Sequence, residues 1–276
     1  MTNLIVEMAG HVGVHSALET NFVQSGDRAG LMAKLAKPLK TWIRRHTNAG
    51  RRAMYERSPR WLARTLGPVA TYLDMLLVDH GVFRLAYLNR HKFGDNVWRS
   101  AQPAPHDLKR FKQAGVKTVV NLRGKRLSGS YWLEEAACQR LGLRLVNYIV
   151  RSRAAPSLAE LKGAKALFAR IEYPALIHCK SGSDRAGLMS VLYMHFVEGQ
   201  AIEEAVSQLS WRYGHFKQAD TGVIDHFFET YIEANRQSPI DFWTWVETAY
   251  DPVEVARSFQ DNSVATKIVG TILRRE

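Results

Sequence analysis

The chain has 276 residues, 46% of them hydrophobic, enough for one large soluble domain or one domain with extensions. It carries 38 Lys and Arg against 26 Asp and Glu, a formal net charge of +12, and two cysteines, Cys138 and Cys179. Two cysteines exclude a disulfide framework and suit a reducing compartment. Residues Met1 to Phe22 lack both a basic start and a continuous apolar core, so they do not read as a signal peptide. The longest apolar stretches, Leu66–Leu73 and Met75–Val78, are separated by Asp74, too short for a simple spanning helix. A cytoplasmic location is expected.

Residues 1–27 show no firm periodicity. From Arg28 to Thr65 there are eleven basic residues and one acidic residue, Glu56, so this segment holds ten of the twelve net positive charges. Within it, Leu31, Leu35, Leu39, Trp42 and Ile43 fall near helical spacing among Lys and Arg, with Pro38 interrupting. Met54, Tyr55, Trp61 and Leu62 punctuate a second basic stretch. Aromatics and Leu beside Lys and Arg suit a segment lying in an anionic membrane interface, a peripheral contact at the inner membrane face through residues 28–65. A solvated basic surface packed on the rest of the chain fits equally. Nucleic acid is the weakest reading, because no nucleic-acid motif accompanies the charge. Residues 1–94 are accordingly read as a basic, partly amphipathic N-terminal extension.

Beyond Asn96 the pattern alternates. Strands are expected at 97–99, 116–122, 143–150 and 176–178. Helices are expected at 105–113, 131–141, 157–171, 186–197, 201–213 and 221–235, with Ser157 and Glu160 forming a capping box. That order implies an α/β sandwich with a mostly parallel central sheet flanked by helices, over residues 95–237. Residues 238–276 read as a C-terminal helical extension. Phe242, Trp243, Trp245 and Val246 supply aromatic bulk for packing, and Ile268, Val269, Ile272 and Leu273 make a second apolar patch.

The chemistry concentrates in His178-Cys179-Lys180-Ser181-Gly182-Ser183-Asp184-Arg185, between an apolar strand-like run and an apolar helix-like run. A helix N-terminus and the loop's N–H groups attract an anion. Arg185 can grip two phosphate oxygens with its planar fork. The same positive field favours the thiolate, the form of sulfur that attacks phosphorus. A buried structural cysteine is the bland alternative, and it leaves the Gly and the Arg unexplained.

His178, Cys179, Gly182 and Arg185 resemble the His-Cys-x2-Gly-x2-Arg signature of Cys-dependent tyrosine and dual-specificity phosphatases, over roughly residues 95–235. The resemblance implies a phosphatase-like fold and hydrolysis of a phosphate monoester through a phosphocysteine. It implies no metal or other cofactor, and the chain has no Cys-x2-Cys pair or His-Glu-x2-His run. Lys180, Ser181, Gly182 and Ser183 would present backbone N–H groups to the phosphate, and His178 would tune the loop from behind. Many relatives take their acid from a separate mobile loop, but the corresponding stretch, 147–156, holds no carboxylate. Asp184 is therefore the candidate acid, with a loop-bracing ion pair as its alternative role. Glu134 and Glu135 read as ordinary helical surface charge, and Cys138 as structural. Ala186 stands where many relatives carry Ser or Thr. Arg151 and Arg153 are candidates for the pocket entrance, and Arg123 for a brace. The default substrate is a phosphotyrosine protein. A membrane phospholipid or glycolipid phosphate is the alternative, from Lys180, Asp184, Arg151, Arg153 and the basic segment. A non-catalytic phosphate-binding module is a third reading.

Overall fold

The structure, a computed structural model, describes residues 87–126 and 128–260. The basic segment 28–65, the apolar stretch 66–86 and the patch at 268–273 lie outside the described residues.

The sheet has five strands in the order β1-β2-β5-β3-β4. They are β1 (His91–Phe93), β2 (Val97–Ser100), β3 (Thr118–Asn121), β4 (Arg144–Asn147) and β5 (Ala175–His178). Strands β2, β5, β3 and β4 run parallel, and β1 pairs antiparallel with β2. The fold is the expected α/β sandwich with a mostly parallel sheet. Strand β1 was not anticipated. It joins β2 through Gly94-Asp95-Asn96, a three-residue hairpin loop whose Gly94 has φ +60°.

Alternation along the buried strands feeds two cores. Val119 and Leu176 face one side, with Leu108 and Phe111 of helix α1 (Pro105–Gln113) and Ala137 and Cys138 of helix α2 (Gly129–Leu141). Val97, Val120 and Ile177 face the other. There they meet helices α3 (Leu158–Arg170) and α4 (Asp184–Phe196). Beyond the short α5 (Ile202–Ala205), the longer α6 (Val223–Gln237) and α7 (Phe242–Thr248) join the same core. Phe242, Trp245 and Val246 are buried in it, packing as the sequence suggests, and Trp243 lies under Lys165. Residues 252–260 form a further helix.

The caps match the sequence logic. Ser157 accepts from Glu160 N at the start of α3, and Glu160 answers to Ser157 N at 2.8 Å. Pro105 opens α1, and Gly142 closes α2 in the left-handed conformation. One long helix expected over 201–213 is not present. The chain makes one turn of α5, then tight turns at Val206–Gln208 and Trp211–Tyr213. The cause is tertiary: Arg99 draws the Gln208 carbonyl to 2.8 Å and its side chain to 3.2 Å, away from helical bonding.

Register aligns Ser100 with His178 and His178 with Asn121, and Asn121 with Asn147. The loops that follow these carboxyl ends therefore open on one edge of the sheet, the usual ligand edge of an open α/β fold.

Candidate active site

The loop from Cys179 to Ser183 links the buried strand β5 to the N-terminus of α4. Its carbonyls are tied outward. Gln102 N donates to Lys180 O (3.3 Å), Asn89 Nδ2 to Ser181 O (2.9 Å), and one Arg99 nitrogen to both Gly182 O and Ser183 O (2.9 Å each). A peptide whose oxygen is held outward presents its N–H inward. The result is a concave ring of donors, suited to a phosphate. The Gly182 N–H donates to Cys179 Sγ at 3.2 Å, a donor placed for negatively charged sulfur. Gly182 must be glycine on two counts. Its φ is +77°, and a Cβ would stand 2.7 Å from both Ala101 N and Ser100 C.

Arg99 is fully buried, and burial pulls its guanidinium down to about 10, against the opposing pull of Cys179, Tyr213 and Asp184. Tyr213 lies beneath it, with the guanidinium carbon 4.2 Å from the ring centroid. Asn89 reaches Tyr213 O (2.8 Å) as well as the loop, so the two buttresses share a support.

Behind the loop, His178 Nε2 pairs with Glu134 Oε1, both side chains fully buried. Glu134 also accepts from Gln102 Nε2 (2.8 Å) and Asn121 Nδ2 (3.4 Å). This corrects the surface-charge reading of Glu134. The residue shares a helix face with Tyr131, Ala137 and Cys138, all buried, so its three- and four-residue spacing was the available signal. Glu135 does meet Tyr131 Oη, at 3.0 Å. Cys138 is buried in the second core, and burial pushes its thiol up to about 12, as befits a structural residue.

At the end of the loop, where Asp184 and Arg185 begin α4, lies a cleft of about 520 Å³ lined by these two residues and by Arg123, Arg126, Arg151 and Arg153, with Ile149 and Thr221 among its walls. Arg185 Nη1 lies 3.5 Å from Leu122 O. Arg151 is braced by Glu160, with bonds of 3.2 and 2.7 Å, and stays highly charged for that reason. Arg153 is exposed at the rim, and Lys180 and Ser181 are also exposed. Arg123 reaches Gln102, which bonds Glu134. Arg126 was not anticipated; it donates to Arg123 O at 3.1 Å.

Asp184, at the first position of α4, accepts from His215 Nδ1 at 2.8 Å, and the other ring nitrogen of His215 meets Asp225 Oδ2 at 2.6 Å. Sequence reading had no means to join these residues, which are 31 and 10 positions apart.

A family model described as a DSP-PTPase phosphatase fused to NAD+ kinase matches residues 88–224, which span the sheet, the loop and the His215 segment. The chain belongs to the Cys-dependent tyrosine and dual-specificity phosphatase superfamily. A relative within the superfamily, the dual specificity protein phosphatase TpbA of Pseudomonas aeruginosa strain PAO1, is 29% identical over 133 residues, covering 48% of this chain and 57% of the relative. Its counterpart from strain UCBPP-PA14 is 28% identical over 122 residues, covering 44% and 53%. The chain thus spans a little over half the length of the curated relatives it matches. The crystal structure of P. aeruginosa TpbA aligns with a TM-score of 0.45 at 21% identity, over 56% of this chain and 93% of that one. Among the described residues, no helix is long and apolar enough to cross a membrane.

Proposed function

We propose that this protein hydrolyses phosphate monoesters through a phosphocysteine on Cys179, with protein phosphotyrosine as its substrate class. The observation that carries the reading is the loop of outward-tied carbonyls around Cys179, with Gly182 N–H on the sulfur. A phosphate docks on the inward N–H groups between Lys180 and Arg185, and the Arg185 fork steadies its equatorial oxygens. Cys179 attacks phosphorus in line and the alcohol or phenol departs. Asp184, on the cleft wall, protonates it. Water then attacks the phosphocysteine and gives its proton to Asp184, and sulfur leaves as thiolate. The TpbA relatives are named dual specificity protein phosphatases, which supports the protein substrate class.

One observation favours a second reading, a membrane phospholipid or glycolipid phosphate. The cleft sets five arginines against one aspartate, a field suited to a substrate with more than one anionic group. The basic segment 28–65 would then hold the enzyme at an anionic surface. The test is phosphate release by the full-length protein, with Cys179→Ser as blank. A phosphotyrosine peptide is compared with phosphatidylglycerophosphate and phosphoinositides in anionic vesicles. Preference for the peptide supports the first reading. Preference for vesicles, lost when the basic residues of 28–65 are neutralised, overturns it in favour of the second.

A further inference from the structure

His215 is 2% exposed, and both of its ring nitrogens face carboxylate oxygens, Asp184 Oδ1 at 2.8 Å and Asp225 Oδ2 at 2.6 Å. A neutral imidazole has one N–H and one lone pair, so one of these contacts would set a lone pair against a carboxylate. Only the imidazolium donates at both ends. We propose that His215 is a positioning residue which, backed by Asp225, holds Asp184 at the cleft and supplies through it the proton that the leaving group takes. The inference rests on the phosphatase reading of Cys179 and extends it.

The physical need is plain. An ordinary carboxyl group, with a pKa near ~4, has lost its proton well below neutral pH and is then no acid. A carboxylate hydrogen-bonded to an imidazolium still commands one. As Cys179 sulfur forms its bond to phosphorus and the P–O bond of the ester breaks, the departing oxygen takes a proton from Asp184, and Asp184 takes one from His215 Nδ1. In the second step the P–S bond breaks as water oxygen bonds to phosphorus. The water proton passes to Asp184 and back to His215, so the site ends as it began.

The surroundings sustain that charge. Burial works against it, but hydrogen bonds and charge from Asp184 on α4 and Asp225 on α6 prevail, raising His215 to about 9. Cations on adjoining segments have partners of their own: Lys217 pairs with Glu229, Arg99 spans the loop carbonyls and Tyr213, Arg212 lies 5.8 Å from the Tyr213 ring centroid, and Arg185 Nη1 faces Leu122 O. Asp184 lines the cleft while His215 stays behind it, so the relay has one end at the substrate and one in the core.

The test measures kcat/KM, which reads the leaving-group step alone, from about pH 5.5 to 10 for wild type, His215→Asn and Asp225→Asn, with Cys179→Ser as blank. Phenyl phosphate is the poor leaving group and 4-nitrophenyl phosphate the good one. His215→Asn is expected to lose about 10²- to 10⁴-fold on phenyl phosphate, the usual worth of a general acid, and at least about tenfold less on 4-nitrophenyl phosphate. The wild-type alkaline limb on phenyl phosphate should fall near pH 9, and Asp225→Asn should move it down. A merely structural histidine would lower both substrates alike and leave the limb in place; that result overturns the relay. If His215→Asn does not fold, the limb of Asp225→Asn decides alone, and an unmoved limb overturns the relay. No release above the blank overturns the phosphatase reading and the relay together, whereas release above it with equal losses overturns the relay only.

Discussion

Replacing Arg99 by Lys isolates what the buried fork does, because the charge stays and the geometry goes. Arg99 makes four hydrogen bonds: to Gln208 O (2.8 Å), Gln208 Oε1 (3.2 Å), Gly182 O (2.9 Å) and Ser183 O (2.9 Å). One guanidinium nitrogen serves Gln208 and the other serves the loop. A lysine ammonium is a single point and can serve one of the two groups. The variant therefore forfeits two bonds to a charged donor at about 1.5–3 kcal/mol each, roughly 3–6 kcal/mol in all. That is a large share of the ~5–15 kcal/mol by which a domain is folded. Urea unfolding checks the stability term. The functional term is separate: with the Gly182 and Ser183 carbonyls released, the N–H ring loses its shape, and misplacement by about 1 Å costs about 100-fold in kcat/KM. Inorganic phosphate should bind correspondingly weakly. Stability within about 0.5 kcal/mol of wild type, the range of an ordinary surface change, with unaltered kcat/KM would show that the Arg99 fork does not hold the loop.

Gly182→Ala should impair phosphate binding and turnover before it impairs folding. The backbone there costs an L-residue about 1–2 kcal/mol, and the new methyl meets main-chain atoms of Ser100 and Ala101 that cannot swing away. Isothermal titration with inorganic phosphate reads the effect directly. Glu134→Ala should destabilise the protein by about 1–3 kcal/mol in urea unfolding, because it leaves the buried Gln102 Nε2 without its acceptor. The His215 clamp should also show in stability against pH. Its folded value, about 9, lies above the ordinary 6.5, so its contribution is complete below pH 6.5 and is lost as pH rises through 9. The size is on the order of 3 kcal/mol. Urea unfolding of wild type against His215→Asn should show the difference closing between pH 6.5 and 9.5, and a constant difference would contradict it.

The strand, loop and helix around Cys179 were legible because local pattern sets them: an apolar strand, a glycine where φ is positive, and a helix start. The capping box at Ser157 and Glu160 was legible for the same reason. Glu134 was half legible, since its spacing from Tyr131, Ala137 and Cys138 put it on the inward face, while its charge argued for solvent. Arg99 was not legible, because it sits in a short strand read only for propensity, and its acceptors lie more than eighty residues away. The broken helix at 201–213 follows from the same long-range contact, which overrides local preference. The Asp184–His215–Asp225 chain joins residues whose proximity only the tertiary fold creates.

Everything proposed for this site requires Cys179 to carry the phosphoryl group. Rapid acid quench of the full-length protein during turnover of a phosphotyrosine peptide, followed by mass analysis, tests it most directly. One added phosphoryl group is expected on the peptide containing Cys179, absent in Cys179→Ser, which should release no phosphate. Turnover by Cys179→Ser near the wild-type rate, with no adduct on Cys179 in the wild type, would contradict it.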